Sequence, residues 1–221
     1  MKRAISFEAI LVVLIGCCLA HVPSAAAAAT DPVAVIAQQA GKAVGLCLQN
    51  DWRAARISVG RIVDRTAEME DRIIRQKLPV STLRVYNSLQ FQLQQLTERA
   101  SQPLQAALVA NQISALAIDV DRPNLTALQY RLASMAYLAR EIVLLPRFPD
   151  DYGLLKKRMA ELQRQWSLAR PLVVKRHAAD AAARMDTLLT DLAHVRANAK
   201  IINTANSVLS ALDALKSGGR P

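Results

Sequence analysis

The chain has 221 residues, of which 52% are hydrophobic and 4% aromatic, with 7 glycines and a formal net charge of +10. This composition excludes an intrinsically disordered chain, and the dominance of Ala, Leu, Arg and Gln favours helix over a β-sandwich or barrel. The length suits one domain with a sizeable core, and the basic balance points to acidic partners or anionic surfaces.

Residues 1–29 read as a signal peptide. Met1, Lys2 and Arg3 form a basic n-region, residues 9–20 are an apolar run too short for a stable membrane anchor, and residues 25–29 offer several Ala-x-Ala cleavage registers. Export to a bacterial periplasm is therefore expected, with residues 30–221 forming one helical-bundle domain. Losing Lys2, Arg3 and Glu8 leaves that domain at +9. A second processing route is open, because Leu14-Ile15-Gly16-Cys17 resembles the lipobox of bacterial lipoproteins, in which Cys17 would be acylated and the protein tethered to a membrane. No later stretch reaches eighteen consecutive apolar residues, so no transmembrane helix is expected. Cys47 then stands alone, which rules out an intramolecular disulfide in the mature domain. It continues the stripe Val33, Ile36, Ala40 and Val44 and is expected to pack as a small buried hydrophobe.

In chain order, Asp31-Pro32 is an N-cap followed by proline at the first helical position, and helical spacing runs to Leu48. Asn50-Asp51 marks a break or a new cap. Trp52, Ala55, Val59, Ile62, Thr66, Met69 and Ile73 then follow steps of three and four, while Arg53, Arg56, Arg61, Arg65, Glu68, Asp71, Arg72 and Arg75 form a solvated surface. Leu78-Pro79 ends this helix, Ser81 can cap the next, and Ser101-Gln102-Pro103 predicts a kink or a fresh start. The nearly apolar segment 104–120 should be central. After the break at Asp121-Arg122-Pro123-Asn124, residues 124–176 read as a helical hairpin around a Pro-rich turn, with Asp150 and Asp151 able to cap its second helix. Its seams are Leu125, Leu128, Leu132, Met135, Ala139 and Ile142, then Leu155, Met159, Leu162, Trp166 and Ala169. Pro171 predicts a kink, after which the seam resumes at Val174, Ala178, Ala181, Met185, Leu188, Leu192, Val195, Ala199 and Ile202. The expected fold is all-α: an elongated antiparallel helical bundle of six or seven helices.

Chemistry-bearing residues are few. His177 and His194 would lie about 25 Å apart along one helix, too far to share a metal, and Asp191 with His194 is an ordinary one-turn pair. No nucleophile motif, zinc motif or Gly-rich phosphate loop occurs, so no catalytic residue, metal or cofactor is expected. Lys156, Lys157 and Arg158 follow the hairpin turn, and Lys175 and Arg176 lie beyond Pro171. These suit a solvated face or contact with anionic headgroups, with Phe148 and Tyr152 as shallow anchors. Nucleic acid is not expected, since no aromatic platform interleaves with the basic residues.

Two stretches resemble known families. Leu125-Thr126-Ala127-Leu128-Gln129 contains Leu-Thr-x-x-Gln, which resembles the short motif of the Spy and CpxP periplasmic chaperones, although that motif normally occurs twice and here occurs once. Gln129-Tyr130-Arg131-Leu132-Ala133-Ser134, followed by Leu162-x-x-x-Trp166-x-x-x-Arg170, is similar to the extracytoplasmic helical sensor module of type IV pilus chemotaxis transducers and nitrate sensors. That resemblance covers residues 129–173 and implies a small-ligand-sensing bundle with Arg131 facing the ligand. It departs from the family at Ala127-Leu128, where Gly-Arg is usual. The expected role is a non-enzymatic periplasmic or envelope-attached binding protein for a small or hydrophobic, lipid-like ligand, either a small anion near Arg131 or an apolar molecule flanked by Met135, Met159 and Trp166. The competing role is a protein-interaction or chaperone-like envelope module that acts through its basic surface.

Overall fold

The computed structural model describes residues 32–98, 102–148, 152–176 and 179–217, which belong to one unit. The expected signal peptide, Cys17, the caps at Asp31, Asp150 and Asp151, and His177 lie outside the described residues. All secondary structure within them is helical. The helices are α1 (Pro32–Leu48), α2 (Trp52–Val63), α3 (Thr66–Arg75), α4 (Val80–Glu98), α5 (Pro103–Val120), α6 (Ala127–Leu144), α7 (Tyr152–Lys175), α8 (Ala179–His194) and α9 (Asn198–Lys216). Short 3-10 turns at Arg122–Asn124 and Leu145–Arg147 flank α6.

The all-α bundle is as expected, with nine helices among the described residues where six or seven were counted. The added joints fall at Asp64-Arg65, between the end of α7 at Lys175 and the start of α8 at Ala179, and at Val195–Ala197, and the sequence has no proline or glycine at any of them. Apolar spacing continues across the first of them, so periodicity alone does not reveal it. Pro171 lies inside α7, which runs on to Lys175. The phase of the last seam also differs: Val173, Ala182, Met185, Leu189 and Leu192 are buried, and Val174 is exposed. Ser81 sits within α4, which begins one residue earlier and needs no cap there.

Local signals are otherwise honoured. The Asp51 side chain accepts a hydrogen bond from the Ala54 amide at 3.0 Å and caps α2. Thr126 and Gln129 of the Leu-Thr-x-x-Gln stretch close a capping box at the start of α6. Asn50 and Lys77 adopt left-handed φ values of 61° and 52°, and the following amides reach back to Leu46 and Ile73 in the Schellman pattern that ends α1 and α3.

Helix α1 packs along α5 and α2, α5 along α4 and α6, and α6 along α7 and α9, while α8 covers α7 and α9. One core lies among α1–α5, with Ile36, Ile62, Met69, Tyr86, Leu93 and Ile113. A second lies among α6–α9, with Leu132, Met135, Ile142, Leu162, Trp166, Met185 and Leu212. Val44, Cys47, Ala55, Ala107 and Leu144 form a small apolar joint beside them. Full burial of each large side chain contributes about 1.5–3 kcal/mol. The apolar segment expected to be central is α5, which packs against both halves.

Candidate functional site: a groove with a buried arginine

Helix α6 carries two adjacent charges, Arg140 and Glu141, inside an otherwise apolar run from Leu138 to Leu145. Both are buried, at 9% and 1% exposure. Adjacent residues on a helix point about 100° apart, so the two charges enter different environments.

Glu141 faces α7, where the Arg158 Nε lies 2.9 Å from its Oε2. The two atoms are at ion-pair distance but poorly aligned for a hydrogen bond. Burial, then the Glu141 carboxylate, pushes the neighbouring Tyr137 hydroxyl well above its ordinary range. Tyr137 and Arg158 border a cleft of about 220 Å3 between α5, α6 and α7. Several of its other polar groups are already engaged. The Tyr130 hydroxyl donates to Asp119 at 2.9 Å, and the Gln165 amide donates to Glu161 at 2.9 Å.

Arg140 faces the other way, towards α1 and α9. Its Nε donates to Asn111 Oδ1 at 2.7 Å and its Nη2 to Ser114 Oγ at 3.0 Å. Asn111 and Ser114 are themselves fully buried on α5, and Asn111 Nδ2 donates to the Tyr137 carbonyl at 3.1 Å. Both acceptors are neutral, and among the described residues no carboxylate forms an ion pair with Arg140. Burial lowers its pKa to about 10, with Asp213 acting in the opposite direction, so the guanidinium stays charged at neutral pH.

The guanidinium borders a groove of about 600 Å3 between α1, α6 and α9. Small or apolar residues dominate its walls: Ala37, Gly41 and Gly45 on α1, Ala133 and Ala136 on α6, and Leu209 on α9. Gly41 approaches Arg140 so closely that an added Cβ would sit 3.5 Å from Nη1, whereas a Cβ at Gly45 would meet nothing within 4 Å. Lys216 and Asp213 stand at the edge, 3.6 Å apart. Burial lowers the Lys216 pKa, Asp213 opposes this, and Arg140 adds to the lowering.

The residues singled out in the sequence are dispersed. Arg131 donates to Gln165 at 2.7 Å and lies beside the Tyr130 ring. Met135 and Trp166 are sealed in the α6–α9 core, at 0% and 5% exposure, and border none of the clefts described. The Trp166 indole N–H donates to Asp186 at 2.7 Å. Met159 is half-buried and lines a separate hollow of about 350 Å3 with Tyr152 and Arg196. Of the basic cluster, Lys156 is exposed over the Tyr152 ring, Lys157 is exposed, and Arg158 turns inward to Glu141. Lys175 and Arg176 are exposed at the far end of α7, about 28 Å from Lys156. Phe148 packs against the joint around Cys47, which leaves Tyr152 as the exposed aromatic of the pair.

Cys47 is buried as expected, with its thiol donating to the Pro103 carbonyl at 3.3 Å and its pKa pushed by burial to about 11. Among the described residues no group of His, Cys, Asp and Glu could hold a metal, and no helix is long and apolar enough to cross a membrane. Sequence reasoning missed Arg140, although a charged pair interrupting an apolar helix was a visible signal. Comparisons with protein-family models, curated proteins and solved structures return no match.

Proposed function

We propose that the chain is a non-enzymatic, exported helical-bundle binding protein that holds a small, largely apolar ligand in the groove between α1, α6 and α9. One observation carries this reading: a mostly apolar groove of about 600 Å3 with a buried, charged arginine at its floor. That size lies in the range of about 300–1,000 Å3 usual for ligand sites, and apolar walls with a few placed polar groups are their usual chemistry. Two helix-interior glycines support it further. Gly45 costs about 0.5–1 kcal/mol relative to alanine, no neighbour occupies the place of its missing Cβ, and its lack of a side chain keeps this wall of the groove open.

The test uses the uncharged lipophilic probe N-phenyl-1-naphthylamine. Saturable fluorescence enhancement at one site per chain is expected, and Gly45→Leu combined with Ala133→Leu should abolish it by filling the groove. Absence of saturable binding, or binding indifferent to both substitutions, would overturn the reading.

A second reading, a protein-interaction module, is favoured by α2–α4. These helices leave Ile57, Ile74, Val80, Val85 and Phe91 more than half exposed among exposed arginines. Suppression of aggregation of an unfolded acidic client, lost in Phe91→Ser with Val80→Ser but kept when the groove is filled, would place function there.

A further inference from the structure

Resting on the groove reading above, we infer that the ligand is a single-chain amphiphile with one carboxylate, seated head inward on Arg140 with its chain along the small residues of α1 and α6.

The guanidinium geometry selects the head group. Five N–H bonds radiate from an arginine. Asn111 Oδ1 takes the Nε bond and Ser114 Oγ takes one from Nη2, so this side is spent on neutral acceptors that leave the positive charge in place. The bonds of Nη1 and the second bond of Nη2 remain, and among the described residues nothing accepts them. Two parallel N–H bonds at the end of a guanidinium match the two oxygens of a carboxylate. On α1, Gly41 lies beside Nη1 and has no side chain to cover it.

Charge counting selects the valence. Lys216 and Asp213 compensate each other at the edge and Lys42 is exposed on the rim, in contact with solvent, which leaves Arg140 as the one buried positive charge among the lining residues without a counter-ion. A monoanion neutralises it. A cationic head would meet like charge, and a neutral head would leave a buried charge without a counter-ion, which is costly in a low-dielectric site.

The walls select the body. Ala37, Gly41 and Gly45 recur at steps of four along α1 and give the groove a strip of small residues past Arg140, bordered by Val44, Leu48 and Leu209. A straight alkyl chain buries its methylenes there at about 0.8 kcal/mol each.

Four twelve-carbon probes, namely dodecanoate, dodecanol, dodecyl phosphate and dodecyltrimethylammonium, should be titrated against the full chain at neutral pH by displacement of N-phenyl-1-naphthylamine. Dodecanoate is expected to bind about ten- to a hundredfold more tightly than dodecanol, the span expected for hydrogen bonds to a charged group. The ammonium probe should bind most weakly. Arg140→Gln should erase the preference for dodecanoate. Because that variant also disturbs Asn111 and Ser114, Gly41→Asp supplies a second arm: its Cβ would meet Nη1 at an ordinary contact distance of 3.5 Å, which brings an internal carboxylate beside the guanidinium, and it should erase the same preference while the chain folds normally. If dodecanoate and dodecanol bind equally at one saturable site, the carboxylate inference falls and the groove reading stands. If dodecyl phosphate binds most tightly, the carboxylate inference is overturned in favour of a phosphate head. If none of the four binds, the groove reading itself is overturned.

Discussion

Glu141 and Arg158 set up the largest single-residue effect outside the groove. Removing the cation strands a carboxylate that is 1% exposed, and an uncompensated buried charge typically costs about 3–5 kcal/mol. Arg158→Ala should therefore lower the urea midpoint by a corresponding amount, and the double replacement Arg158→Met, Glu141→Leu should recover most of the loss. Equal stability of Arg158→Ala and the parent would show that the pair is dispensable. Neither residue was read this way from sequence. Arg158 belonged by position to a basic run, and only the facing of α7 against α6 separates it from Lys156 and Lys157.

Cys47 gives a pH prediction whose sign follows from its shift. The folded thiol ionises near pH 11, against about 8.5 in an unfolded chain. Between those values the unfolded chain has released a proton that the folded chain retains, so stability falls as pH rises through that window. Tyr137, also raised by burial, adds to the loss above about pH 10. Denaturation midpoints should decline from pH 8.5 to pH 11, and Cys47→Ala should flatten the first part of that decline. In the native protein the thiol should resist alkylation at neutral pH and react readily in denaturant.

Among elements, α6 bears the most weight. Its start is fixed by the Thr126–Gln129 capping box and its body by packing against α5, α7 and α9. Thr126→Ala should cost about 1 kcal/mol, as N-cap losses do, read as a lower thermal midpoint with unchanged helicity. The neighbouring α7 and α8 are tied by Asp186, which accepts from the Trp166 indole and from Arg170 Nε at 2.9 Å. Burial pushes the Asp186 carboxyl up, but these two hydrogen bonds outweigh it and the net shift is down. Its contribution is therefore present above the unfolded value of about 3.9 and lost as pH falls through the lower folded value. Acid titration followed by tryptophan emission should show this loss below pH 4, and Asp186→Ala should remove it. The apolar stripes of α1 and α6 were legible residue by residue because each helix has one buried face. The joints at Asp64-Arg65 and Val195–Ala197 were not legible, because a short joint without proline or glycine can preserve the spacing of the stripe.

For the whole molecule, ligand and stability are linked. A molecule that binds the folded groove and not the unfolded chain stabilises by about 2.7 kcal/mol at a hundred times its Kd. Dodecanoate should raise the thermal midpoint of the parent and leave that of Gly45→Leu, Ala133→Leu unchanged. The two cores meet through α5 and α6, so the gain should appear as a shift of one transition, monitored by circular dichroism at 222 nm.

The amino-acid sequence by itself determined that this is an all-α bundle, where most helices begin and end, and which stripe of each is buried. Those are consequences of local propensity, capping and periodicity, which act within a few residues of one another. Tertiary structure decided which charges lie inside. Arg140, Glu141 and Arg158 resemble any other charged helix residues until the facing helices are known. The groove over Arg140 is likewise a gap between helices distant in sequence, α1 and α9, and no local pattern encodes the space that two distant helices leave open.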